Sequence, residues 1–403
     1  MEEKNNKPIN PYKVKTIICE DGERLPLLVS SNTSLPCRLP NSWLLFSRRI
    51  NNQTSTLQRE IRTIGFFHWW ADTHNINLIE RLQTGNGLSS NEINPSLFDW
   101  LRKDFTTCKA VKKIAVTTAT LRTRLETVRD YILWHLDQTL SRMDISNPLF
   151  ERVSEKRNLI QRQFNKDLPT VRNNRRIGLD TTLLERFLEI IKPTHSENPW
   201  YKPVRFRNYI LCLLYLSLGL RRAEALKIYL GDLNLNGDRP TLTIKRRPDD
   251  IHDPRLHEPR VKTLGRIIPL SANLVKLLNE YVLKQRTKIP NAKKSPFLFL
   301  SSRTGKPLSE TAINDMIAQI IRKHAEFSGA LSPHILRHSY NDMLSQTASE
   351  QGISEHDAIE IRNYLCGWTR NSKQGDDYRQ RYIQQKSLSL SVTHQKKIFE
   401  ETK

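Results

Sequence analysis

The sequence predicts a mainly α-helical protein with a small antiparallel β-sheet, an α+β fold class. Apolar residues recur at steps of three and four over long stretches, most clearly in Thr56–Trp70 and Ala119–Leu140. Near 241–245, 260–270 and 297–301, β-branched residues and period-two spacing replace that rhythm. A chain of 403 residues is long enough for two or three domains.

Residues 1–38 are expected to form an N-terminal extension with a β-hairpin. Two β-like runs, Val14–Cys19 and Leu25–Val29, flank Asp21-Gly22, a dipeptide typical of hairpin turns. Residues 39–165 then keep the helical pattern and predict a small all-helical domain.

A polar, basic stretch at 166–179 lacks apolar periodicity and predicts an interdomain linker. After it, Asp180 is placed to cap the first helix of a larger domain that covers 180–384. In the remaining tail, 385–403, apolar residues alternate with serines and have no obvious cover within the same domain, which leaves a frayed polar terminus and a surface that binds another molecule as the alternatives.

The charge of the chain indicates a polyanionic partner. Its 64 Lys and Arg outnumber 42 Asp and Glu, which gives a formal charge of +22 and favours nucleic acid first and an anionic membrane surface second. Five scattered cysteines without a C-x-x-C pair favour a reducing compartment over a zinc site or disulfide scaffold. The longest apolar run, Tyr209–Leu220, is shorter than the roughly 20 residues of a membrane helix and predicts a buried core helix. The sequence also begins with polar and charged residues, so we expect a soluble, cytoplasmic protein without membrane contact.

Four motifs carry candidate chemistry. In the first, Leu331–Ser339, His334 and Arg337 stand three residues apart. If Pro333 occupies the first turn of a helix, both side chains lie on one face. An arginine can hold phosphate oxygens through its planar fork, and a histidine can transfer a proton near neutral pH. A solvated polar helix face would show the same spacing.

The second and third motifs add further cations. Arg221 follows the predicted core helix, with Glu224 three residues later and able to orient its guanidinium group. Lys262 is expected at the tip of a β-turn or hairpin that leads into the strand after Gly265. Taken alone, a salt-bridged surface arginine and a solvent-facing lysine would also explain these residues.

The fourth motif joins Gly367-Trp368 to two nearby tyrosines, Tyr378 and Tyr382. A phenol is a poor nucleophile because its pKa is about 10, so it needs neighbouring cations to stabilise the phenolate. A partly buried packing tyrosine is the alternative for either residue.

The order and spacing of the four motifs resemble those of the tyrosine recombinase (phage integrase) family, over roughly residues 178–385. The resemblance implies a helical core-binding domain at 39–165, in general character only, followed by the family's catalytic domain. It also implies that Arg221 and Arg337 bind the non-bridging oxygens of the scissile phosphate. Lys262 would protonate the leaving 5′ oxygen, and His334 would act as the base toward the attacking phenol.

The same resemblance implies roles for the last motif. The family places its nucleophile nine or ten residues after the histidine or tryptophan, which selects Tyr378, while Tyr382 would pack one turn later. Trp368 would steady the phosphate through its indole N–H, and Glu224 would support the arginine helix. Cys366 stands where the family usually has leucine or methionine.

The segment 246–260 lengthens the sheet connection beyond the family's common form. It carries His252 and His257, whose spacing could indicate a metal site, although their polar surroundings of mixed charge favour a solvated loop.

The reaction implied by the resemblance is a metal-independent and cofactor-independent transesterification through a 3′-phosphotyrosine, used to integrate or excise a mobile element. The implied partners are double-stranded DNA with paired half-sites, a homotetramer on that DNA in which the tail 385–403 docks on a neighbouring protomer, and accessory DNA-bending or directionality proteins. The protein would associate with the bacterial nucleoid when bound to DNA. The alternatives are a type IB topoisomerase-like enzyme, a hairpin telomere resolvase, or a non-cleaving DNA-binding regulator with the same fold.

Overall fold

The computed structural model describes residues 10–105, 115–171 and 178–369. The chain divides into two compact units, Met1–Asn174 and Arg175–Lys403. Helices dominate the described part of both units, and small antiparallel sheets accompany them, which confirms the predicted fold class. Tyr378, Tyr382 and the tail 385–403 lie outside the described residues, as do residues 172–177 of the predicted linker.

Unit 1 consists of a hairpin followed by helices. Its elements are β1 Tyr12–Ile18, β2 Arg24–Ser30, α1 Arg38–Trp43, α2 Thr54–Thr73, α3 Leu78–Gln83, α4 Phe98–Arg102, α5 Thr118–Leu140 and α6 Pro148–Asp167. Short 3₁₀ and π-helical turns extend α1 and precede α4.

The predicted hairpin is present, and it packs on the helices of unit 1. Strands β1 and β2 pair antiparallel, from Tyr12 opposite Ser30 to Ile18 opposite Arg24. Leu28 of β2 is buried against Leu57 and other apolar residues of α2. The hairpin therefore shares an apolar cluster with the helical domain that follows it.

The long helices α2 and α5 confirm the helical periodicity and supply the core of unit 1. Their inward residues recur at three- and four-residue steps and are at most 6% exposed: Leu57, Ile61, Ile64, Phe67, Trp70, Leu121, Leu125, Val128, Ile132 and Leu136. At the start of α5, the Thr117 side chain accepts a hydrogen bond from the Thr120 backbone N–H at 3.3 Å. Because side chains at this spacing share one face of a helix, both helices bury a continuous apolar stripe.

Unit 2 is a second helical body with a three-stranded sheet. Its elements are α7 Thr181–Ile190, α8 Arg205–Leu218, α9 Arg222–Leu226, β3 Leu233–Asn234, β4 Thr241–Ile244, β5 Arg266–Pro269, α10 Ala272–Glu280, α11 Glu310–Lys323, α12 Pro333–Glu350 and α13 Glu355–Cys366. The predicted cap is present at α7, where Asp180 Oδ1 accepts a hydrogen bond from the Leu183 backbone N–H at 2.8 Å.

Helix α8 is the buried core helix that the apolar run predicts. Ile210, Leu211, Leu214 and Tyr215 have no exposed surface and pack in the centre of unit 2. None of the helices in the described ranges combines the length and apolar character of a membrane span.

The sheet has the order β3-β4-β5, with both pairs antiparallel. The predicted strand at 260–270 begins only at Arg266, since Thr263 bonds the Glu224 side chain and Leu264 bonds the carbonyl of Gly367 instead of a neighbouring strand. The prediction of a strand at 297–301 is wrong. Residues 297–300 are buried and pair with residues on either side, as in the hydrogen bond from Leu298 N to Ile228 O at 2.8 Å. The third strand is instead Leu233–Asn234.

Two buried histidines make unit 1 sensitive to acid. His68 Nε2 lies 2.9 Å from the Tyr131 hydroxyl. Burial and the charge of His135 lower the pKa of His68 to about 3, and burial lowers the pKa of His135 to about 4. Both side chains are therefore neutral in the folded protein at a pH where the unfolded chain, with an ordinary histidine pKa of about 6.5, already takes up protons.

We expect the free energy of unfolding of unit 1 to fall as pH decreases below about 6.5, by up to about 1.4 kcal/mol per pH unit for each histidine, until the folded pKa is reached. The slope should be smaller in His68→Gln, whose amide can still bond Tyr131 but does not titrate. Urea unfolding of the full chain between pH 7 and pH 4.5, followed by tryptophan fluorescence, measures both slopes. Equal slopes in wild type and His68→Gln would contradict the assignment.

Candidate active site

The centre of the site is the carboxylate of Glu224, whose side chain has no exposed surface. Arg266 forms two hydrogen bonds with it, from Nη1 to Oε1 and from Nη2 to Oε2, both at 3.0 Å. The backbone N–H of Arg221 donates to Oε2 at 2.8 Å, and the Thr263 hydroxyl donates to Oε1. Glu224 thus joins the start of α9 to the start of β5.

The first predicted arginine lies where α8 ends and α9 begins. Gly219 ends α8 in the left-handed conformation, at φ 58°, and a Cβ there would come within 2.2 Å of the Tyr340 ring. Only glycine fits such a backbone at that distance. Arg221 follows two residues later, with 23% of its side chain exposed and its Nη1 3.8 Å from Glu224 Oε1.

The second predicted arginine lies on α12. Pro333 is the first helical residue and the Ser332 hydroxyl accepts a hydrogen bond from Ile335 N at 3.1 Å, so the helix begins where the sequence predicts. Arg337, one turn further on, is 5% exposed. Its Nη1 donates to the carbonyl of Gly219, and its Nη2 donates to the carbonyl of Cys366 at 3.1 Å.

The end of α13 closes the site. The Cys366 carbonyl also accepts a hydrogen bond from Arg221 Nη1 at 3.3 Å, so one backbone oxygen contacts both predicted arginines. Gly367 is left-handed, at φ 64°, and a Cβ there would lie 2.7 Å from Arg266 Nη1. Trp368 follows, and the guanidinium carbon of Arg337 lies 5.4 Å from its ring centre, a cation–π contact.

The charges of the site favour an anion. Arg221, Arg266 and Arg337 lie within 3.8 Å of Glu224, and these four groups together carry a net charge of +2. Burial and the nearby charge of Arg337 lower the pKa of Arg221 to about 10, so Arg221 stays protonated at neutral pH. Burial raises the pKa of Glu224, but the hydrogen bonds and charge of Arg266, with the charge of Arg337, hold it below its ordinary value. Guanidinium groups held in this way can bind the oxygens of a phosphate through charge-assisted hydrogen bonds.

The two predicted proton-transfer residues are exposed. His334 lies in the first turn of α12, three residues before Arg337 and therefore on the same side of the helix. Lys262 lies four residues before β5. Lys262 lies in the connection between the antiparallel strands β4 and β5, but not at the tip of a tight turn: the chain bends at Thr263, which bonds Glu224, and Leu264 N donates to Gly367 O at 3.0 Å.

The sequence reading missed Arg266, which is the closest cation to Glu224. Strand β5 alternates between buried and exposed residues, and Arg266 stands on the buried face together with Ile268. A charged residue at an inward position of a strand needs a buried partner, and that position is the signal that could have identified it. The alternative of a metal site in the 246–260 loop gains no support: His252 and His257 are both exposed, and neither joins a group of three possible metal ligands in the described ranges.

Comparisons with known proteins agree with this geometry. Residues 179–360 match the family model described as the phage integrase family. Two curated relatives match in sequence: a TnP I resolvase of Bacillus thuringiensis, 26% identical over 151 residues, and the tyrosine recombinase XerD of Mycobacterium leprae (strain TN), 24% identical over 161 residues. These matches cover 38% and 39% of this chain but 43% and 45% of the relatives, so the chain spans less than half of either relative.

Two solved structures share the fold. XerH site-specific recombinase, bound to a palindromic difH substrate, aligns over 89% of this chain and 94% of its own, with a TM-score of 0.51 and 18% identity. The Tn1549 transposon integrase, in complex with circular intermediate DNA, aligns over 85% of this chain and 94% of its own, with a TM-score of 0.51 and 15% identity. Residues 179–360, within unit 2, therefore match the phage integrase family, and the resemblance to tyrosine recombinases is confirmed.

We expect Glu224→Gln to lower the free energy of unfolding of unit 2 by about 3–5 kcal/mol, because it leaves buried guanidinium groups without their counter-charge. Since the folded pKa of Glu224 is below its ordinary value, the difference from wild type should be present at neutral pH and shrink as the carboxylate protonates in acid. Urea unfolding at several pH values measures it.

The matched control is Glu310→Gln. The Glu310 carboxylate pairs with Arg222, which lies on the same helix as Glu224, but the Glu310 side chain is 40% exposed. That change should cost no more than about 1 kcal/mol. Similar losses in both variants would show that Glu224 has no special place in the fold.

Proposed function

We propose that this protein is a site-specific DNA recombinase that cuts and rejoins duplex DNA through a 3′-phosphotyrosine. The observation that carries the proposal is the pair of guanidinium groups, Arg221 and Arg337, held by one backbone carbonyl in a pocket of net positive charge within a phage integrase domain. A phosphodiester group is the anion that such a pair suits best.

Both arginines would bind the non-bridging oxygens of the scissile phosphate. Their hydrogen bonds to the carbonyls of Gly219 and Cys366 limit their movement, so little reorganisation is needed when charge develops on the phosphorus oxygens. Trp368 packs against Arg337 and would restrict it further while offering its indole N–H to the phosphate.

The chemical step needs three further residues. The phenol oxygen of Tyr378 would form a bond to phosphorus as the bond from phosphorus to the 5′ oxygen breaks. His334 would take the phenol proton, and Lys262 would deliver a proton to the departing 5′ oxygen. The phosphotyrosine conserves the energy of the phosphodiester bond, so the reverse reaction can rejoin DNA without ATP. The arginines supply the positive charge, and we expect no metal to be required.

The substrate would be double-stranded DNA with paired half-sites. The formal charge of +22 favours a polyanion, and both similar solved structures, XerH and the Tn1549 integrase, are complexes with DNA. We propose that four copies assemble on that DNA, that accessory DNA-bending or directionality proteins assist them, and that the reaction integrates or excises a mobile element.

We expect Tyr378→Phe to bind duplex DNA normally and to form no covalent adduct, because the change removes the nucleophilic oxygen and little else. Tyr382→Phe, the matched control four residues later, should remain active. The substrate is found by recovering DNA that stays attached to wild type after denaturation, and a nicked duplex of that site then traps the adduct on a denaturing gel.

An adduct in Tyr378→Phe would contradict the assignment of the nucleophile. Failure of wild type to attach to any DNA would favour a non-cleaving regulator. Relaxation of supercoiled plasmid without exchange between two sites would favour a topoisomerase.

Arg337→Lys should lower the rate of adduct formation by about 10²–10³-fold although it keeps the charge, because a lysine cannot reproduce the two directed hydrogen bonds of the fork. Single-turnover cleavage of the nicked duplex measures the rate, and a gel shift checks that binding is retained. Arg322→Lys is the control, because Arg322 lies in the last turn of α11, a helix that supplies none of the site residues described above. A near-normal rate for Arg337→Lys would remove this residue from the mechanism.

A further inference from the structure

The long connection between β4 and β5 is attached to a buried lysine. Lys227 follows the last residue of α9, and its side chain is 1% exposed. Its Nζ lies 3.0 Å from Asp250, 3.3 Å from Asp253 and 2.6 Å from Glu258, three carboxylates of the same loop. A solvated loop would not bury four charged groups together.

Further bonds connect this cluster to the domain. Arg255 of the loop pairs with Asp253 at 2.7 Å and donates to the carbonyl of Leu308 at 2.6 Å. The Tyr229 hydroxyl donates to Asp250. Burial raises the pKa of Asp250, but the bonds from Tyr229 and Lys227 hold it below the ordinary value, so the carboxylate is ionised at neutral pH.

The path of the loop depends on Lys227. Taking one partner out of a buried ionic cluster leaves uncompensated charges, which must then move toward water. Without the Lys227 ammonium group, Asp250 and Glu258 lose the cation that they share. Their uncompensated charges then favour a conformation in which the surrounding segment moves away from the domain surface into solvent.

The C-terminal end of the same loop is attached to α9 itself, three residues before Lys227. Glu224 accepts a hydrogen bond from Thr263, and it stands three residues before Lys227, a spacing that places both side chains on one side of the helix. Helix α9 therefore holds the loop at two points, with a cation at Glu258 and with an anion at Thr263.

Lys262 lies between these two attachments. Its neighbours Val261 and Thr263 are 6% and 4% exposed, whereas Lys262 is exposed. The lysine side chain is flexible, so its backbone position sets the space that the ammonium group can reach, and the backbone here is fixed from both sides. Loss of either attachment should let Lys262 move away from the phosphate pocket.

We propose that Lys227 is a positioning residue: its ion pairs with Asp250, Asp253 and Glu258 hold Lys262 where it protonates the leaving 5′ oxygen. The inference rests on the proposed function, because it requires Lys262 to be the general acid.

The test uses the chemistry of the leaving group. In a duplex whose scissile phosphate carries a bridging sulfur at the 5′ position, attack by the phenol oxygen breaks the bond between phosphorus and sulfur. The departing thiolate is far less basic than an alkoxide and needs no proton from the enzyme. A defect in the general acid therefore disappears on this substrate, whereas a general loss of folding or binding does not.

Lys227→Met, which keeps the length of the side chain without its charge, should cleave ordinary DNA about 10²-fold more slowly, as expected for a displaced general acid. On the sulfur-bridged duplex its rate should return to within about threefold of wild type, as should that of Lys262→Ala. Glu258→Gln perturbs the cluster less and should show the same pattern with a smaller loss, so the test remains valid if Lys227→Met folds poorly. Leu278→Ala, which leaves a cavity in the core of unit 2, is the matched control and should be impaired equally on both substrates.

Three results would overturn the inference. Full activity of Lys227→Met on ordinary DNA would show that the cluster does not position Lys262. A second outcome is that Lys227→Met and Glu258→Gln lose the same fraction of their cleavage rate on both substrates, while the sulfur-bridged duplex restores the rate of Lys262→Ala. That outcome would reject the positioning role and leave the proposed function intact. Failure of sulfur to restore Lys262→Ala would instead remove the general acid from the proposed function, and the inference with it.

Discussion

The site depends on burying the negative charge of Glu224. A carboxylate without exposed surface is tolerated only when cations and hydrogen-bond donors surround it, and here they come from the start of α9, the start of β5 and the middle of α12. The fold can bury this carboxylate only if cations surround it, and three arginines are therefore brought together around it. Because three cations surround one anion, the stable fold already contains a binding place for a second anion.

The residues of the site differ in how firmly they are held. Arg266 and Arg337 are buried and bonded to backbone carbonyls or to Glu224, whereas Lys262 and His334 are exposed. This difference suits phosphoryl transfer, in which charge stabilisation benefits from groups that do not move and proton transfer needs groups that exchange protons with solvent. Glu224 of α9 and Lys227, the residue that follows this helix, connect the two classes, since they hold the rigid arginines on one side and the exposed Lys262 on the other.

Local patterns in the sequence predicted the elements whose stability is local. The apolar spacing identified α2, α5 and α8, and Asp180 identified the start of α7, because each depends on residues within a few positions. The strand at 297–301 was wrong, and Lys262 is not at the tip of a tight turn, since distant partners decide both segments. Phe297 pairs with Tyr229, and Thr263 bonds Glu224 39 positions earlier. Motif order located Arg221 and Arg337, but Arg266 required knowledge of the face on which its strand is buried.

The contacts of the pocket are widely separated along the chain. Arg221 and Cys366 are 145 positions apart, Arg337 and Gly219 are 118 apart, and Arg266 and Leu365 are 99 apart. Contacts of such long range form late, after the intervening chain has been ordered. During synthesis from the N-terminus, the phosphate pocket is therefore incomplete until residues 366–368 have left the ribosome. A nascent or prematurely terminated chain would carry the excess positive charge that attracts nucleic acid without the complete arrangement of arginines that the folded domain has.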